Sequence, residues 1–96
     1  MRGKRMTTQR LLIEGRVQRV GYRDWAVRTA LQLGVVGWVR NLQDGRVEIL
    51  ADGADMAVDT FIDRCREGPA MAEVRRLDAT PAERGNVKGF TKRFTA

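Results

Sequence analysis

From Tyr22 to Leu33 the apolar positions are Tyr22, Trp25, Ala26, Thr29, Ala30 and Leu33, which fall on one face of a helix. A second stripe, Ala54, Ala57, Val58, Phe61, Ile62 and Cys65, predicts a helix over residues 54–67. Asp55, Asp59, Asp63 and Arg66 fall off that stripe and read as its solvated face. Gly34 follows the first stripe and Gly68-Pro69 the second, where helices end. Between and around the helices the pattern changes period. Residues 10–14 form a short apolar strand ending at Gly15, and the β-branched and aromatic residues 35–40 form another. Asp44-Gly45 marks a hairpin turn, after which Val47, Ile49 and Ala51 alternate with Arg46, Glu48 and Leu50. Weaker strands are expected at residues 72–80 and 89–95. The last is an edge strand, because Lys92 interrupts its apolar pattern between Phe90 and Phe94.

The resulting order is β-α-β-β-α-β with an extra strand segment near the end. It predicts an α+β, ferredoxin-like split βαβ fold, with two helices on one face of an antiparallel sheet and the other face wet. Such a fold carries many functions, so chemistry must be read elsewhere.

Ninety-six residues, 43% of them hydrophobic, suit one domain with its own core. The net charge of +6 suggests an anionic partner. Arg2, Lys4 and Arg5 carry half of it, however, so residues 1–9 are expected to be a flexible basic tail and residues 10–96 the domain. No apolar run is long enough to cross a membrane, and the first ten residues lack a secretory signal's apolar segment. Cys65 is the only cysteine, so no intrachain disulfide forms, and a cytoplasmic location is expected. Histidine is absent, which excludes histidine bases, phosphohistidine and histidine metal ligands together.

The chemistry concentrates in "GRVQRVGYR", residues 15–23, between the first strand and the first helix. A helix N-terminus presents unpartnered N–H groups and a positive dipole end. Glycines on either side let successive N–H groups turn inward around an anion. Arg23, in the helix's first turn, adds a planar fork of donors that matches phosphate oxygens. The loop has neither the Gly-Lys-Ser/Thr of a P-loop nor the glycine spacing of a dinucleotide site. Geometry alone therefore leaves two readings open, a small phosphate-like anion or a plain turn with solvated arginines.

"GRVQRVGYR" also resembles the signature of the acylphosphatase family, G-x-V-Q-G-V-x-[FY]-R, and "GWVRNLQDGRVEI" resembles that family's second pattern, G-[FWY]-V-x-N before a turn. The resemblance covers about residues 10–95 and implies an acylphosphatase-like domain. It implies a metal-free and cofactor-free hydrolase that cleaves the carboxyl–phosphate anhydride of acyl phosphates. Arg23 matches the family's phosphate-binding arginine, and Asn41 the asparagine that holds the attacking water. The loop Gly15, Arg16, Val17, Gln18, Arg19, Val20, Gly21, Tyr22 and Arg23 would wrap the phosphate. Inorganic phosphate is then product and inhibitor, and the chain is expected to be a monomer without nucleic-acid or membrane partners. This suits the residues present: a carboxylate is a weakly basic leaving group, so no general acid is required.

Arg19 departs from the pattern, which has glycine there. If that position is left-handed, a side chain costs roughly 1–2 kcal/mol. Two other readings remain. A nucleic-acid-binding ferredoxin-like module is suggested by "KGFTKRF", residues 88–94, but the match to the aromatic RNA-binding motif fails at Thr91, Lys92 and Arg93. A non-catalytic phosphate-binding domain of the same family is opposed by the presence of both Arg23 and Asn41.

Overall fold

The computed structural model describes residues 5–96. Both apolar stripes become helices. In α1 (Tyr22–Leu33) they bury Tyr22, Ala26, Thr29 and Ala30, and in α2 (Asp55–Glu67) Val58, Phe61, Ile62 and Cys65. Gly34 ends α1 in the left-handed conformation, as its position predicted. The strands are β1 (Met6–Arg16), β2 (Val36–Asn41), β3 (Val47–Ala54), β4 (Glu73–Pro81) and β5 (Phe90–Lys92). They form one sheet in the order β4-β1-β3-β2-β5. The expected α+β, ferredoxin-like arrangement is thus observed.

The helices cover one sheet face, where Leu11, Ile13, Val39, Ile49, Ala51 and Leu77 meet Ala26, Ala30, Val58 and Phe61 in the core. Burying each large aliphatic side chain contributes about 1.5–3 kcal/mol. Phe61 packs edge-on against Phe90 at 5.6 Å, which fastens β5 to α2.

Three expectations need correction. First, β1 begins at Met6, not residue 10, because β3 continues to Ala54 and pairs with β1 as far as Met6↔Ala54. Thr7, Thr8 and Gln9 look like a polar tail, yet the Thr8 hydroxyl donates to Asp52 Oδ1 at 2.5 Å. Residues 6–9 of the expected flexible tail are therefore strand, and residues 1–4 lie outside the described residues. Second, the sheet is not wholly antiparallel. After β4, residues 82–89 carry the chain to the opposite edge, where β5 runs parallel to β2 for three residues. Third, the face without helices is not simply wet. Glu48, Leu50 and Asp52 on β3 are buried there. Arg10 and Arg40 close over Glu48 at 2.5 and 2.7 Å, and Arg84 reaches Asp52 in an ion pair at 3.1 Å.

Candidate active site

The loop between β1 and α1 begins with a constraint that only glycine meets. Gly15 has φ +131°, and a Cβ there would run into the backbone carbonyl of Glu73 on β4. The β1–β4 register shifts between Glu14 and Gly15, so this glycine allows a bulge that turns the chain off the sheet. Val17 is then buried in the core and Val20 packs against it, pinning the loop from below. Gly21 caps α1 with φ +78° and supplies no side-chain cap. The first intrahelical bond is Trp25 N–H to Gly21 O at 3.1 Å, so the amides of Tyr22, Arg23 and Asp24 precede the helix's own ladder.

These residues surround a cavity of about 210 Å³, walled by Val17, Arg19, Gly21, Tyr22, Arg23, Asp24, Asn41 and Lys92. The two residues expected to be catalytic, Arg23 and Asn41, thus meet on one cavity. Arg23 Nη1 donates to the Arg93 carbonyl at 3.2 Å, which braces the guanidinium from just beyond β5. The backbone carbonyl of Asn41 accepts from Ala96 N–H at 3.0 Å. Asn41 Oδ1 is buried and accepts no hydrogen bond from the described residues. Such an orphaned acceptor is costly unless a ligand or water donates to it.

The rest of the expected phosphate-binding set separates into different tasks. Val17, Arg19, Gly21 and Tyr22 reach the cavity wall, while Gly15, Arg16, Gln18 and Val20 do not. Arg16 is exposed and pairs with Glu73 in the β1–β4 ladder. Gln18 Nε2 donates to the carbonyls of Leu42 and Arg46, at 2.8 and 2.9 Å. It therefore ties the loop to the β2–β3 hairpin that carries Asn41. The Tyr22 ring is buried and its hydroxyl donates to the Cys65 carbonyl at 2.6 Å. Burial first, then the neighbouring Cys65, push the tyrosine's pKa upward. Burial also pushes the Cys65 thiol up to about 12, consistent with a packing residue.

Two wall residues escaped the sequence reading, Asp24 and Lys92. Lys92 Nζ lies 2.8 Å from Asp24 Oδ1, and the hydrogen bond and charge of Lys92 lower the carboxyl's pKa. The interruption of the last strand's apolar pattern was their one signal. The wall thus carries Arg19, Arg23 and Lys92 against one carboxylate. Among the described residues, no group of three or more His, Cys, Asp or Glu side chains is placed to hold a metal ion. Among them also, no helix is long and apolar enough to cross a membrane.

Comparison with known proteins shows the family. The sequence model of the family described as Acylphosphatase matches residues 9–94. The acylphosphatase of Acidiphilium cryptum is 44% identical over 94% of this chain and 99% of its own. That of an Acidovorax species is 48% identical over 92% of this chain and 91% of its own. The crystal structure of acylphosphatase from Bacillus subtilis superposes with a TM-score of 0.87 at 31% identity, covering 93% of this chain and 99% of that one. With its loop, its helix N-terminus and the pair Arg23 and Asn41 on a common cavity, the chain belongs to the acylphosphatase family.

Proposed function

We propose that this acylphosphatase cleaves the carboxyl–phosphate anhydride of acyl phosphates without a metal ion, using Arg23 and Asn41 as its catalytic pair. The observation that carries the reading is their convergence, from different elements, on one small cavity bounded by a helix N-terminus. The backbone N–H groups at Gly21, Tyr22 and Arg23 take the phosphoryl oxygens, and the Arg23 guanidinium offsets their charge. Gly15, Arg16, Val17, Gln18 and Val20 shape the loop, while Arg19 sits at its mouth. Asn41 Oδ1 accepts a hydrogen bond from a water and aims its oxygen at phosphorus.

In the step itself, the water oxygen bonds to phosphorus as the phosphorus–oxygen bond to the carboxyl group breaks. The carboxylate leaves with the bonding electron pair, and the water's proton ends on phosphate or in solvent. Because a carboxylate carries that charge easily, neither a general acid nor a Lewis acid has to assist its departure. The donor set on the wall is suited to this role: cations and amides, with its lone carboxylate already paired to Lys92. Orthophosphate, which fits the same donors, is then both product and competitive inhibitor. We read the chain as a cytoplasmic monomer.

The test is hydrolysis of acetyl or benzoyl phosphate in the presence of EDTA. Turnover should be unaffected by the chelator, and p-nitrophenyl phosphate, with its more basic leaving group, should be cleaved far more slowly. Loss of activity in EDTA with recovery in magnesium would overturn the metal-free reading.

A further inference from the structure

A second cavity, larger than the catalytic one, lies apart from it. It measures about 740 Å³, and its wall includes Gly37 on β2, Arg84, Asn86 and Lys88 on the connection to β5, and Thr91 and Arg93. That volume lies within the roughly 300–1,000 Å³ typical of ligand sites.

Its charge is one-sided. Arg84, Lys88 and Arg93 converge on the wall, and no carboxylate is part of it. Asp52 reaches Arg84 from beneath, but it is buried, and its Oδ1 is already taken by the Thr8 hydroxyl. Its contact with Arg84 therefore fixes that side chain without cancelling the other two. Among the described residues neither Lys88 nor Arg93 has an acidic partner within ion-pair distance. The Arg93 guanidinium rests on the Trp38 ring, 4.7 Å from its centroid, a contact that orients the cation without neutralising it. Glu83, the one acid of residues 82–89, is exposed and stands outside the wall. Holding like charges around a concavity costs free energy in the absence of an anion and is repaid when one enters.

We propose that this cavity is a second anion site, separate from the catalytic one, which binds a short chain of linked phosphoryl groups, either free or as the tail of a nucleotide. A single phosphate can engage only part of three cations spread around so large a space. A linked chain can meet Arg84, Lys88 and Arg93 in turn, with the Asn86 amide and Thr91 hydroxyl as neutral donors. Arg93 serves both cavities, since its carbonyl braces Arg23 on the catalytic side while its side chain lines this one.

The test uses Arg23→Gln, which removes the guanidinium assigned to phosphate in the catalytic cavity, combined with Trp25→Phe so that Trp38 is the only tryptophan. Tripolyphosphate should change Trp38 fluorescence saturably with 1:1 stoichiometry, and ATP should bind within about threefold of it, whereas orthophosphate should bind at least about tenfold more weakly. Lys88→Met should weaken tripolyphosphate binding by at least about tenfold and Lys88→Arg should restore it. Calorimetry on Arg23→Gln alone repeats the measurement should Trp25→Phe fold poorly. The proposal fails if tripolyphosphate does not bind, if Lys88→Met leaves its affinity unchanged, or if AMP binds as well as ATP. It fails too if a single-stranded oligonucleotide binds much more tightly, since that would make the face a nucleic-acid surface.

Discussion

Lys92 and Asp24, 68 residues apart, meet at 2.8 Å on the wall of the catalytic cavity. A carboxylate beside Arg23 opposes the binding of any phosphate, and Lys92 is what cancels it. Lys92→Met should therefore weaken inhibition by orthophosphate, because Asp24 is left uncompensated. Asp24→Asn should strengthen it, each by roughly two- to fivefold at low salt, as expected for exposed charges. Both effects should shrink as salt rises toward and beyond physiological strength, where the Debye length is about 8 Å. Inhibition constants for the three proteins at two ionic strengths check this. An unchanged constant in both variants would remove the pair from the account of binding.

Arg23 and Asn41 should fail in different ways. Arg23→Gln removes a charged donor from the bound ligand and the transition state alike, so orthophosphate affinity and turnover should fall together. Asn41→Ala removes an acceptor for the attacking water only. Orthophosphate should still inhibit it normally, while kcat drops by roughly 10²–10³-fold, the usual cost of one transition-state hydrogen bond. Near-normal kcat in Asn41→Ala would refute the water-positioning role.

On the other face of the sheet, Glu48 lends stability that depends on pH. Burial raises its pKa, but hydrogen bonds from Arg40 and Arg10 outweigh burial and hold the carboxyl below its ordinary 4.5. A lowered folded-state pKa adds stability that is complete above the unfolded value and is lost as pH falls through the folded one. Glu48→Gln should thus be less stable at neutral pH by about 1–3 kcal/mol. The gap between the two melting temperatures should close as pH drops below about 4. A gap that stays constant from pH 7 to pH 3 would show that charge at Glu48 is not its source.

What the sequence made legible was whatever repeats locally. Ala26, Ala30, Val58 and Phe61 announce their helices by spacing alone, and Gly34 announces an end. The pair Arg23 and Asn41 was legible through motif resemblance, and the cavity they share confirms only that they come together. Features made by distant contacts were not legible. Thr8 is polar, and nothing near it reveals the buried Asp52, 44 residues on, to which its hydroxyl bonds. Gln18 was expected only as part of the phosphate loop, yet its side chain holds a hairpin 24 and 28 residues away. Lys92 breaks the strand face that Phe90 and Phe94 share, which marks an edge but could not tell that β5 is short and parallel.

Arg19 is the place where this chain departs from its family's pattern, and the backbone shows what that departure costs. Its φ is +63°, making it the one residue other than glycine with positive φ among those described. A side chain in that region is strained by roughly 1–2 kcal/mol. Glycine removes the strain but enters folding with more conformational freedom to lose, a penalty of about 0.5–1 kcal/mol. The difference leaves Arg19→Gly more stable by up to about 1.5 kcal/mol, or a few degrees in melting temperature for a domain this small. The same substitution removes an exposed charge from the cavity wall. Steering of a phosphate dianion by that charge is screened by salt, so kcat/KM of Arg19→Gly should fall modestly at low salt and converge with the parent at high salt. Its kcat should hold, because the enclosing donors are backbone N–H groups and Arg23. Melting curves and kcat/KM at two ionic strengths decide the matter. A collapse of kcat at unchanged stability would instead place the Arg19 guanidinium on the transferring phosphoryl group, and the charge now assigned to Arg23 would have to be shared between them.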